Sequence, residues 1–264
     1  MKGQSNSKVT TNVNNSKENV DFTRASSVVI KWTFDFMFLS LCRCFKEDKF
    51  DEFNETLSTF EGISLNPSLK GKPYNEKTMI CAFLSRVMHG KQLDIQFEDD
   101  GIIPLVSAAK IWSKLECTVE DKSLFKDIVN LLIVQSVGVC LEKGQTSSAS
   151  TALKWFKNNY EFSQNLGVKL SKIVADMETY HPFLMSVSFS RLRETVQTYL
   201  DSYLEKNPSD YLLKEATKVL QSPQGMETSD SSLPDAANTP TRDTEENRNT
   251  FLRLVKSNIQ QDIF

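Results

Sequence analysis

The 264-residue chain sets 31 Lys and Arg against 34 Asp and Glu, a net charge of −3 at neutral pH, and is 39% hydrophobic and 10% aromatic. That balance argues against a chain-wide electrostatic footprint for nucleic acid, and the apolar content is enough for a sizeable core. Five cysteines, an odd number without regular spacing, fit reduced thiols and not a disulfide framework.

Residues 1–25 are rich in Asn, Ser, Thr and Lys and carry no apolar stretch of the secretory kind. They are expected to be a disordered tail, because too little can be buried to offset the entropy of ordering. From residue 26 to 221 the pattern is helical nearly throughout, with no strand-like alternation. The spacing predicts helices over Ser27–Lys46 after a Ser26 cap, Lys49–Phe60, Glu76–His89, Pro104–Glu116, Ser123–Glu142 and Ser147–Asn158. Further helices are predicted over Ser163–Met177, Pro182–Val187, Ser190–Glu205 and Ser209–Gln221, so the body is expected to be one all-α domain of nine or ten helices. Residues 222–249 are acidic and hold Pro223, Pro234 and Pro240, and read as a disordered linker. Residues 250–264 can form a short amphipathic helix with Phe251, Leu254, Val255 and Ile259 on one side. No segment is expected to span a bilayer: the longest near-apolar run, Trp32 to Cys42, contains Asp35 and falls far short of the ~20 residues required.

The first predicted helix is apolar on two opposed sides. On a wheel of 100° per residue, Val28, Val29, Trp32, Phe36 and Leu39 share one face. Ile30, Phe34, Met37, Phe38, Leu41, Cys44 and Phe45 gather opposite, with Thr33 and Ser40 on one seam and Lys31 and Asp35 on the other. Two arrangements cover both faces: a central helix wrapped by its own domain, or a peripheral helix that packs inward with one face and against a second copy with the other. A first helix adjoining a disordered tail favours the second, and the Trp32–Phe36 face is the better interface, since buried aromatics dominate hot spots.

Carriers of chemistry are absent from the pattern. The two histidines, His89 and His181, fall in different helical contexts, and Cys42 and Cys44, two apart on a helix, point away from each other and cannot chelate one metal. There is no phosphate loop, dinucleotide fingerprint or nucleophile elbow. Neither an enzymatic activity nor a cofactor or metal is therefore expected. Phe97, set among Asp94, Glu98, Asp99 and Asp100 and preceded by Leu93 and Ile95, has two readings. It either pins its loop to the body or anchors an extended peptide carrying an aromatic, a proline and a basic residue. The Ser-Pro at Ser222–Pro223 and Thr-Pro at Thr239–Pro240 match proline-directed phosphorylation sites at a level expected by chance.

The blocks "WTFDFMFLSLCRCF", "ICAFLSRVMHGKQLDIQFEDDGIIPLVSAAKIW" and "YLLKEATKVL" resemble, in order, the homology domain of telomeric repeat-binding factors, from about Val28 to Gln221 and nearest to the type-1 branch. The resemblance implies an all-helical domain that forms a symmetric homodimer through its first helices and one near its C-terminal end, with Ile30, Trp32 and Phe36 at the interface. The wheel agrees for Trp32 and Phe36 and sets Ile30 on the other side. The resemblance also implies a docking surface for shelterin partners bearing an aromatic-x-Leu-x-Pro peptide, with Leu93 and Phe97 at the anchor site and Glu61 as an acidic contact. It implies a nuclear, telomeric location and a part in telomere protection and length control. Family members read duplex telomeric repeats through a Myb-type domain, which needs spaced tryptophans and a basic recognition helix. Here Trp32, Trp112 and Trp155 all lie inside the matched stretch, so DNA contact is expected only where such a domain is supplied. The rival expectation is a helical dimeric adaptor without a telomeric role that docks other proline-containing peptides.

Overall fold

The computed structural model describes residues 14–97 and 102–222, and those residues fold into ten α-helices and one 3-10 turn, with no strand among them. The chain divides into a compact unit, Met1–Thr217, and a second, Lys218–Phe264, of which residues 218–222 are described. The acidic run at 98–100, the linker from Pro223 on with Thr239–Pro240, and the 250–264 helix lie outside the described residues, whereas Ser222 of the first proline-directed motif is described and donates its hydroxyl proton to the Val219 carbonyl at 2.7 Å.

Helix α1 (Asn14–Lys46) begins well before the expected Ser26 cap, so part of the stretch read as a tail is helical. No Gly or Pro interrupts residues 14–26, and extending a helix already fixed by packing costs far less than nucleating one. It is followed by α2 (Phe50–Ser64), α3 (Lys72–Met88), α4 (Pro104–Lys114), a 3-10 turn (Glu116–Thr118), α5 (Lys122–Glu142) and α6 (Thr146–Asn159). The rest are α7 (Gln164–Ala175), α8 (Pro182–Ser186), α9 (Phe189–Lys206) and α10 (Tyr211–Gln221). Several starts are set by side chains: Asp121 accepts from the Ser123 N–H at 2.7 Å, and Ser188 from the Arg191 N–H at 3.2 Å.

The central helix is α5, not α1. Its buried residues include Ile128, Leu132, Ile133, Val137 and Cys140, and it touches α4, α6, α7, α8 and α9. By length and composition alone α5 is apolar enough to cross a membrane, which the sequence reading passed over, and 67% of its most apolar window is buried inside the protein. An all-round apolar helix is what a core of this size needs at its middle.

Aromatic rings tie the layers together. Trp112 stacks on Phe83 at 4.9 Å and Phe125 at 5.4 Å and meets the edge of Tyr199 at 4.8 Å, joining α3, α4, α5 and α9. Phe34 on α1 lies 4.6 Å from Phe60 on α2, and Phe38 lies 6.0 Å from Tyr203 on α9. All five cysteines are free; Cys42 and Cys44 are buried as the pattern required, Cys117 is exposed, and burial pushes the Cys42 and Cys140 thiols up to about 12.

Helix α9 holds the end of α1. Arg193 donates from Nη2 to the Phe45 carbonyl at 3.2 Å and pairs through Nη1 with Asp48 at 2.6 Å, Gln197 donates to the Lys46 carbonyl at 3.1 Å, and Lys46 pairs with Asp201. These carbonyls have no partner within their own helix, and a cation beside them also complements the helix dipole. Arg193→Met, which keeps the stem and removes the donors, is expected to cost about 1–2 kcal/mol. Thermal melting checks this: a fall of roughly 2–8 °C is expected for a body of this size, and an unchanged midpoint would mean that water caps α1 equally well.

Candidate interaction surfaces

On the inward side of α1, Phe34, Phe38, Leu41, Cys42, Cys44 and Phe45 are buried in the common core. The opposite side is left uncovered: Val29 is 54% exposed, Phe36 38% and Val28 41%. Trp32 is half-buried, its indole stacked 4.3 Å from the Tyr211 ring of α10, and Tyr211 and Leu213 are themselves each 45% exposed. An apolar stripe thus runs along α1 and on to the start of α10. The two polar side chains on its seam are already satisfied, since Thr33 donates its hydroxyl proton to the Val29 carbonyl and Ser40 to the Phe36 carbonyl, each at 2.9 Å. A second surface can cover them without stranding a polar group. Ile30 departs from this stripe: it is partly buried against the core, on the side where the wheel put it.

Asp35 stands on the other seam and reaches Lys77 of α3 at 2.6 Å; Lys77 is buried, and its ammonium also lies 5.7 Å from the centre of the Phe38 ring. This pair fixes the rotation of α1 on the body and so fixes which side of it faces out.

The second surface surrounds the turn after α3. His89 ends α3 with its Nδ1–H donating to the Ser85 carbonyl at 2.8 Å, an assignment that follows because a carbonyl can only accept. Gly90 then passes so close to α4 and α9 that a Cβ there would stand 2.6 Å from Leu105 Cδ2 and 2.9 Å from Phe189 Cζ. The chain turns back through hydrogen bonds from Gln92 N to His89 O at 2.9 Å and from Ile95 N to Gln92 O at 3.2 Å. This sets Leu93 partly buried against the core and presents Phe97 half-buried. One face of Phe97 is covered by the Arg86 guanidinium 4.3 Å from its centre, and its ring lies edge-on to His89 at 6.0 Å. His89 in turn meets Phe50, the first residue of α2, at 4.9 Å.

The structure therefore brings Leu93 and Phe97 to one place and sets Glu61 apart. Glu61 is exposed on the last turns of α2, eleven residues beyond Phe50, which is about 16 Å along a helix. The sequence reading missed Arg86, His89 and Phe50, which build the wall around Phe97. The one available signal was Arg86 standing on the same face of α3 as His89, one turn earlier.

A family profile described as Telomere repeat binding factor (TRF) matches residues 29–225. Telomeric repeat-binding factor 1 of Mus musculus is 36% identical over 215 residues, covering 81% of this chain and 50% of that protein. Telomeric repeat-binding factor 2 of Gallus gallus is 24% identical over 232 residues, covering 87% of this chain and 32% of that protein. The chain thus spans half the length of the mouse relative it matches and about a third of the chicken one. A match that begins at Val29, on the exposed stripe of α1, and runs past the end of α10 takes in both surfaces described above, and this chain belongs to the telomere repeat binding factor family.

Proposed function

We propose that this chain works at telomeres in the nucleus as a homodimerising and partner-docking module, with α1 and α10 as the dimer surface and the Phe97 turn as the peptide site. The observation that carries the proposal is an apolar stripe, with Val29 and Phe36 exposed and Trp32 half-buried on α1 and Tyr211 exposed on α10, opposite a side of α1 whose Phe34, Phe38, Leu41 and Phe45 are buried in the core. Ile30, partly buried on the other side of α1, is assigned to the interface by the family resemblance alone. In a symmetric dimer the stripe meets its own copy, so each apolar residue is covered twice for one change in sequence.

The docking reading is supported by spacing. An extended peptide advances about 3.3 Å per residue, so the roughly 16 Å between the Phe50 end of α2 and Glu61 is crossed by about five residues. An aromatic-x-Leu-x-Pro core seated at Leu93 and Phe97 would then deliver a following Lys or Arg to Glu61. Dimerisation would serve DNA contact indirectly. Where each copy is joined to a Myb-type reader, coupling two readers makes the second contact intramolecular, with avidity gains of order 10²–10⁴. No duplex-DNA readout is assigned to the helical body itself.

The test is the solution mass of the purified chain, alone and with a labelled aromatic-x-Leu-x-Pro-x-Arg peptide. The expected result is a particle of twice 30.0 kDa that takes up one peptide per chain. A monomer at micromolar concentration would remove the dimer reading, and a dimer that ignores the peptide would remove the docking one.

A further inference from the structure

Helix α1 is longer than its seat on the body. Its inward side is buried from Phe34 on and Ile30 is partly buried, but none of residues 22–29 is buried, and Phe22 is 73% exposed. The apolar stripe nevertheless continues into this arm. Phe22, Ala25, Val29, Trp32, Phe36 and Leu39 follow one another in steps of three and four, the a and d positions of a coiled-coil seam, and each is exposed or half-buried. Ser26, Thr33 and Ser40, which flank the seam, are small enough to let a second helix come close. The family match begins at residue 29, so Phe22 and Ala25 lie ahead of it. A helical arm with no packed side is marginal in water, and a second helix along the seam supplies the cover that the body does not.

We infer that the arm of α1 pairs antiparallel with α1 of a second copy, about a two-fold axis between Ile30 and Lys31. The inference rests on the dimer reading above and adds to it a register and two further contact residues, Phe22 and Ala25. All six seam positions then fall into layers that share this one midpoint: Phe22 faces the partner's Leu39, Ala25 the partner's Phe36 and Val29 the partner's Trp32. Two of these layers set a small side chain against a large one, which fills a seam without voids or strain. A parallel pairing would set each residue on its own copy, Trp32 on Trp32 and Ala25 on Ala25, leaving one layer overfilled and another empty. Antiparallel helices also bring opposite dipole ends together. The seam is thus complementary to itself, which makes the occupant a second copy and not a foreign helix.

The experiment uses the whole chain and has two arms. Phe22→Glu with Ala25→Glu, both at exposed positions, is expected to raise the dimer dissociation constant at least about tenfold in sedimentation, with the helical far-UV signal retained. A parent dimer whose dissociation constant ignores this change overturns the inference and leaves the dimer reading standing, whereas a monomeric parent overturns both. For the register, chains carrying Ala25→Cys and chains carrying Phe36→Cys, each with Cys117→Ser to remove the exposed native thiol, are oxidised with glutathione disulfide, separately and as a mixture. A disulfide-linked dimer is expected in the mixture alone. In the inferred register residue 25 stands beside the partner's residue 36, while like positions of the two copies stand about 16 Å apart, too far for a bond that needs Cα atoms within about 7 Å. Either variant linking to itself, or a mixture that fails to link, would overturn the antiparallel register.

Discussion

Replacing Trp32 and Phe36 together by alanine is expected to turn a dimer into a monomer in light scattering at micromolar concentration. Interface hot spots contribute about 2 kcal/mol or more each, and a two-fold interface loses every truncated contact twice. Two residues on two copies therefore remove enough to raise the dimer dissociation constant by roughly a thousandfold or more. The energy is available because the stripe is apolar at its centre and polar groups along its seam are already paired within α1. Trp32 brings a complication, since its indole also rests on Tyr211 of its own chain. A second variant, Val29→Glu with Phe36→Glu, leaves that contact alone and places a charge only at exposed positions. Both variants should retain the helical far-UV signal and run at single mass. A particle of unchanged double mass in both would mean that the copies meet through some other face.

What the sequence could and could not say about this follows from where each signal originates. Helical periodicity is a property of one element against its surroundings, so the ten helices and the buried half of α1 were legible, down to Phe34, Phe38, Leu41 and Phe45. The choice of central helix was not. A core helix and a two-sided interface helix have the same composition, and α5 differs from α1 in its neighbours, which periodicity does not encode. Two helix ends lie beyond their predicted positions at a proline or glycine: α3 starts at Lys72, ahead of the predicted Glu76, with Pro73 in its first turn where its missing N–H costs nothing, and α2 continues through Gly62 to Ser64, past the predicted Phe60. The start of α1 at Asn14 was hidden for a different reason, since residues 14–26 show no apolar face of their own to mark them.

The site around Phe97 was half legible. Phe97 announces itself as an apolar residue in an acidic stretch, and Leu93 lies one short turn before it. What makes it a surface is supplied by residues from elsewhere: Arg86 over the ring, His89 at its edge and Phe50 behind. Those contacts depend on the packing of α2 beside the end of α3. Glu61 belongs to the same α2 helix, yet its roughly 16 Å separation only acquires meaning once the peptide's own length is considered.

Phe97→Ala is accordingly expected to reduce affinity for an aromatic-x-Leu-x-Pro peptide by about a hundredfold, near 2.7 kcal/mol, while the melting temperature falls by only a few degrees. Within the free protein the ring is half-buried and its contacts are a guanidinium on one face and an imidazole at the edge, each contributing about 0.5–1.5 kcal/mol. In the complex the same ring would be covered completely, so the loss on truncation falls on binding. Leu93→Ala provides the contrast, because Leu93 already packs on the core and its removal should lower stability as well as binding. Glu61→Lys separates charge from anchoring: a peptide ending in Arg should bind this variant less well than the parent, and one ending in Glu better. Should Phe97→Ala lower the melting temperature by 10 °C or so and leave peptide affinity intact, the ring is a pin for its own turn, and the exposed part of it serves no partner.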